Sequence, residues 1–142
     1  MAWTVQRATR SPPCPVSPMD HPADCAPVAL ATDLLREEHR RLAMTFARYA
    51  DAAAPDAERE RLARALAAEV AAHVATDRRR LYPLVRHEAD ELVQALVAQQ
   101  TRIRAQVDAL HAAADAAARD AAVDALAALV QAHAEDEERR LF

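Results

Sequence analysis

From residue 28 to the last residue, apolar side chains recur at intervals of three and four, the spacing of one face of an α-helix. Four such stripes follow one another. The first reads Leu35, His39, Leu42, Phe46, Tyr49, and the second Leu62, Leu66, Val70, His73, Asp77, Leu81. The third reads Leu92, Leu96, Gln100, Ile103, Val107, Leu110, and the fourth Leu126, Val130, His133, Glu137, Leu141. Each stripe therefore carries a polar residue where its period calls for an apolar one.

The punctuation between stripes predicts the helix ends. Thr32 or Asp33 caps a first helix that runs to about Asp51. Pro55, followed by Asp56, Glu58 and Glu60, suits the start of a second helix reaching about Tyr82, with Pro83 marking its end or a bend. A break near His87–Asp90 leads to a third helix over about 90–114. A polar, alanine-rich turn over Asp115–Asp120 leads to a fourth, from about 120 onward. Short connections make neighbours antiparallel, so the expected fold is all-α, an up-down-up-down four-helix bundle over 28–142. Six of the eight prolines precede residue 28, and residues 1–27 are expected to form a mobile, disordered tail. Met19 in that tail offers a second start codon. Cys14 and Cys25 also lie there, at a spacing unlike a metal knuckle.

Composition narrows the function. The chain has no glycine, which excludes a phosphate-cradling loop, a dinucleotide fingerprint and a nucleophile elbow. Its basic residues, all arginine, number 18 against 22 acids, so it carries no basic footprint for nucleic acid. Arg78-Arg79-Arg80 reads as a solvated helix face. No segment approaches the roughly 18 apolar residues of a membrane span. The N-terminus has no apolar secretory segment, and the expected location is the cytoplasm. A monomer is the default.

The polar interruptions then dominate the reading. Three histidines, two carboxylates and one glutamine replace apolar residues on inward faces. Burying them costs several kcal/mol unless they satisfy one another. A shared metal ion does so, since imidazole nitrogen and carboxylate oxygen suit iron, zinc or manganese. Residues four apart share a helix face, so His73 converges with Asp77 and His133 with Glu137. An internal repeat supports the same centre. His73-x-x-x-Asp77 followed by Arg-Arg-Leu81-Tyr82 aligns with His133-x-x-x-Glu137 followed by Arg-Arg-Leu141-Phe142. The first and third stripes align likewise, placing Gln100 opposite His39 in a pseudo-twofold pair of helical hairpins.

Asp33-Leu-Leu-Arg-Glu-Glu-His39, His73-x-x-x-Asp77 with Leu81-Tyr82-Pro83, and His133-x-x-x-Glu137 with Leu141-Phe142 closely resemble hemerythrin-like (HHE cation-binding) domains. The resemblance spans about residues 30–142. It implies a non-haem di-iron centre, two irons per chain, in a protein that binds or senses O₂, NO, peroxide or iron rather than a dedicated enzyme. It also implies His39, His73, Asp77, His133 and Glu137 as metal ligands, to which the Gln100 carbonyl adds a weaker donor. Two positions depart from the family pattern: Gln100 stands for the third-helix histidine, and Asp77 for a glutamate. These residues are compatible with a pair of irons, a single ion or a lapsed site. The rival from another class is a metal-free helical interaction module whose polar seam is an internal hydrogen-bond network.

Other candidates are weighed beside these. Glu69, four before His73, is a candidate hydrogen-bond partner for it, and Glu138 a fallback donor. His87 and His111 are expected at the surface, and His21 without a role. Leu42, Phe46, Tyr49 and Tyr82 are expected to pack the core. Ferritin-type chemistry is disfavoured because no acid precedes His73 or His133 by three. No His-Glu-x-x-His motif and no nucleophile beside a base point to hydrolysis.

Overall fold

The computed structural model describes residues 22–51 and 53–142, with side chains described from residue 30 onward. The chain forms α1 (Pro22–Tyr49), α2 (Asp56–Thr76), a π-helical turn (Asp77–Leu81), α3 (Tyr82–His111) and α4 (Ala116–Arg140). There is no strand among the described residues. Tyr49 at the end of α1 hydrogen-bonds Asp120 and Arg119 near the start of α4, and Arg119 pairs with Asp56 at the start of α2. These contacts gather the end of α1 and the starts of α2 and α4 at one end of the bundle. The helices thus run up-down-up-down, as the short connections predict.

Several boundaries differ from the sequence expectation. α1 begins at Pro22, so the helix enters the stretch read as tail; residues 1–21, with Cys14, Met19 and His21, lie outside the described residues. A proline at the first helical position loses only an N–H that no helical carbonyl would accept. Thr32 and Asp33 are accordingly not caps: Thr32 is buried inside the helix, and Asp33 pairs with Arg36 at 3.0 Å. Pro55 immediately precedes α2 rather than opening it, and its carbonyl accepts from the N–H groups of Glu58 and Arg59. α4 starts at Ala116, because the Asp115 side chain accepts from the Ala118 N–H at 2.8 Å and caps the helix there. The turn expected over 115–120 is therefore mostly helix.

Pro83 does not end the second helix. Its ring crowds the carbonyl of the preceding turn, and that turn is widened into the π form, with the Tyr82 N–H bonded to the Asp77 carbonyl. The helical path continues to Ala89, whose φ of −138° and ψ of 38° break it. The break expected near His87–Asp90 is there. The extra residue in the π turn rotates everything after it. Tyr82 is only 2% exposed while Leu84 is 50% exposed, a register that regular α spacing from Asp77 and Leu81 does not produce.

The inward stripes build two apolar cores. The larger contains Leu42, Phe46, Tyr49, Leu62, Leu66, Val70, Ile103, Val107, Leu126 and Val130. The smaller contains Leu35, Leu81, Tyr82, Val93 and Leu96. Between them, on every helix, lies the polar layer: His39, His73, Asp77, Gln100, His133 and Glu137, all buried. No described helix is long and apolar enough to cross a membrane.

Candidate metal centre

Each helix contributes to the polar layer at the level its stripe predicts. α1 supplies His39, α2 His73, the π turn Asp77, α3 Gln100, and α4 His133 and Glu137. Asp77 and Glu137 are both fully buried. His39 Nε2 lies 3.3 Å from Glu137 Oε2, and His133 Nε2 lies 3.4 Å from Glu137 Oε1. Asp77 Oδ2 is 3.5 Å from His73 Nε2 and 3.6 Å from His133 Nε2. His73, Asp77, His133 and Glu137 each offer an atom within 4.8 Å of the others. Metal–ligand bonds of about 2.0–2.2 Å put neighbouring ligand atoms roughly 3–3.5 Å apart, so these spacings suit a coordination shell.

The rings are aimed by an outer layer of acceptors. His39 Nδ1 lies 2.7 Å from Glu138, His73 Nδ1 3.3 Å from Glu38, and His133 Nδ1 2.9 Å from Gln99 Oε1. An acceptor at Nδ1 requires an N–H there, so each ring, when neutral, presents its Nε2 lone pair to the centre. Gln99 is itself held by Asp136, which accepts from its Nε2 at 2.6 Å. Glu38 and Gln99 occupy equivalent places in the two hairpins, one residue before His39 and Gln100. The sequence reading overlooked both; the repeat of an acceptor-capable residue before each seam position was the available signal. Glu69 does not reach His73. It accepts from the Thr45 hydroxyl at 3.4 Å, because it sits on the flank of α2 turned toward α1. Glu138 supports His39 from outside the centre.

Two further residues enter from outside the expected set. Tyr82 donates its hydroxyl to Glu137 Oε1 at 2.8 Å and accepts from Gln100 Nε2 at 2.9 Å. It belongs to the smaller core, as expected, but the π turn also carries its hydroxyl into the polar layer. Arg78 leaves the solvated face assigned to it: its Nε donates to Gln100 Oε1 at 2.8 Å, while Arg79 and Arg80 stay exposed. Gln100 also donates to Asp77 Oδ2 at 2.8 Å. His87 and His111 are at the surface.

Burial alone would lower the affinity of His39 for its proton, but Glu137 and Glu138 outweigh it and raise the pKa to about 9. Burial pushes Asp77 up, with His133 opposing. Glu137 is held down: burial works against the carboxylate, but the close approach of the His39 ring and the charges of the three imidazoles prevail. Burial, reinforced by both carboxylates, raises the Tyr82 phenol far above its usual range, so it keeps its proton.

The decisive feature is what the protein leaves unpaired. His39 Nε2, His73 Nε2, Asp77 Oδ1 and Glu137 Oε2 are buried and lack an aligned hydrogen-bond partner. Buried polar groups are normally satisfied, and each exception calls for an explanation. A proton on His39 answers only Glu137, whereas a cation among these atoms would engage all four at once, so the residues fit a metal ion. The chain matches a family model described as the hemerythrin HHE cation binding domain over residues 30–142.

The chain belongs to the hemerythrin HHE family.

No curated protein and no solved structure gives a match. Membership in the hemerythrin family implies cation binding, usually of iron. The buried cluster is where such an ion fits. This hemerythrin-like bundle shields its centre with two apolar cores and with Phe142, whose ring stacks on His39 at 6.2 Å between centroids under the Arg36 guanidinium. Replacing Glu38 with alanine is expected to weaken metal binding about 10–100-fold, the usual cost of losing a residue that orients a ligand. Glu69→Ala is expected to leave it unchanged. Competition against a coloured chelator measures both, and equal losses would contradict the assignment of Glu38 to His73.

Proposed function

We propose that this protein binds iron through His39, His73, Asp77, His133 and Glu137, and takes up a small ligand such as O₂, NO or peroxide at that centre. The observation that carries the reading is the set of four buried inward atoms without hydrogen-bond partners, on α1, α2, the π turn and α4. Iron held there would supply a redox-active position able to accept such a ligand. The protein's own residues do the rest. Glu38, Gln99 and Glu138 hold the rings in one tautomer. Tyr82 keeps a proton at Oη, which it donates to Glu137. The two apolar cores exclude water on either side. We read the protein as a binder or sensor rather than a dedicated enzyme.

The rival, a metal-free interaction module, needs the polar layer to close as a hydrogen-bond network. The four unpartnered atoms speak against that. The test is anaerobic loading with ferrous iron, desalting, elemental analysis and an optical spectrum before and after O₂, NO or peroxide. Retained iron whose spectrum changes on exposure is expected. Iron lost on desalting, with a spectrum identical to untreated protein, would overturn the proposal.

A further inference from the structure

Gln100 occupies the centre in a way that a ligand would not. Its orientation is set by chemistry. The Arg78 guanidinium Nε can only donate, so the atom 2.8 Å from it is the amide oxygen. The amide nitrogen must then face the centre, where it donates to Asp77 Oδ2 at 2.8 Å and to Tyr82 Oη at 2.9 Å. It also lies 3.4 Å from His133 Nε2. An amide NH₂ has no lone pair to offer a cation. On the α3 side, the layer therefore presents N–H groups where lone pairs would be needed.

The unpaired atoms show the same asymmetry. His39 Nε2, His73 Nε2, Asp77 Oδ1 and Glu137 Oε2 have no aligned partner, whereas His133 Nε2 and Asp77 Oδ2 both lie against the Gln100 amide. The atoms left for a cation come from α1, α2, the π turn and α4, and none from α3. A second ion beside the first, in two-metal sites about 3.5–4 Å away, would have to displace the Gln100 amide nitrogen from Asp77 Oδ2 and Tyr82 Oη. That would break hydrogen bonds at a fully buried amide whose oxygen Arg78 still holds.

We propose that Gln100, pinned by Arg78, closes the α3 side of the centre, so that the bundle holds one metal ion instead of the pair its family resemblance implies. Gln100 is then a positioning residue that fixes metal count through Asp77, His133 and Tyr82. The inference rests on the metal-binding reading above.

The test counts ions. Wild-type protein and the Gln100→His and Gln100→Glu variants are stripped, loaded anaerobically with ferrous iron, desalted and analysed for iron per chain, with calorimetric titration in parallel. Helical circular dichroism verifies folding. Wild type is expected to bind one ion per chain. Either folded variant is expected to approach two, because imidazole or carboxylate replaces the N–H donor with a lone pair. Two ions in wild type would overturn the proposal, as would folded variants that stay at one. No retained iron in wild type would remove the metal centre itself, and the proposal with it.

Discussion

Replacing His73 with alanine is expected to lower the affinity for iron by at least about 100-fold, leaving protein purified from iron-rich cells nearly metal-free. Losing a residue that merely orients a ligand costs about 10–100-fold, and losing the ligand itself costs more. His73 is central to the layer. Its Nε2 is unpartnered and lies 3.5 Å from Asp77 Oδ2 and 4.0 Å from Glu137 Oε2. Its ring packs edge-on against His39 at 4.8 Å and His133 at 6.2 Å between centroids. No other described residue supplies a lone pair from α2 at that level. Metal content after desalting, with helicity as the control for folding, checks the prediction; wild-type occupancy in the variant would remove His73 from the centre.

Chelation is expected to lower the melting temperature of metal-loaded wild type by about 12–24 °C. An ion that binds only the folded chain, present at 1,000 times its dissociation constant, adds about 4 kcal/mol. For a domain of this size each kcal/mol moves the midpoint by roughly 3–6 °C. The structural cause is the charge balance of the polar layer. Without a cation, two fully buried carboxylates and three inward imidazoles must share protons, and four polar atoms go unpaired. The cation satisfies them together. The His73→Ala variant is expected to melt at one temperature with or without chelator, which separates loss of the ion from a general effect of the chelator. Indifference of the wild type would favour the closed hydrogen-bond network.

Much of this was legible in the linear pattern. Periodicity placed His39, His73, Asp77, Gln100, His133 and Glu137 on inward faces, and all six are buried in one layer. It did so because a helix's own geometry determines which residues share a face. Helix ends were read less well. Proline signals a start as readily as a break, so α1 begins at Pro22 within the stretch read as tail. The alanine-rich stretch after Asp115 is compatible with turn and helix alike until the Asp115 side chain caps it.

The roles of Arg78, Tyr82, Glu38 and Gln99 depend on what stands across from them. Arg78 looks like one of three solvated arginines until α3 brings Gln100 within 2.8 Å of it. Tyr82 faces the centre because Pro83 widens the turn before it, shifting the register by one residue. The bundle, the level of the polar layer and the donors on each helix follow from the linear pattern, because side-chain direction follows from local helical period. Which donors keep free lone pairs and which are hydrogen-bonded is settled when the helices pack together. That depends on distances between atoms on different helices, which no periodicity along one chain encodes.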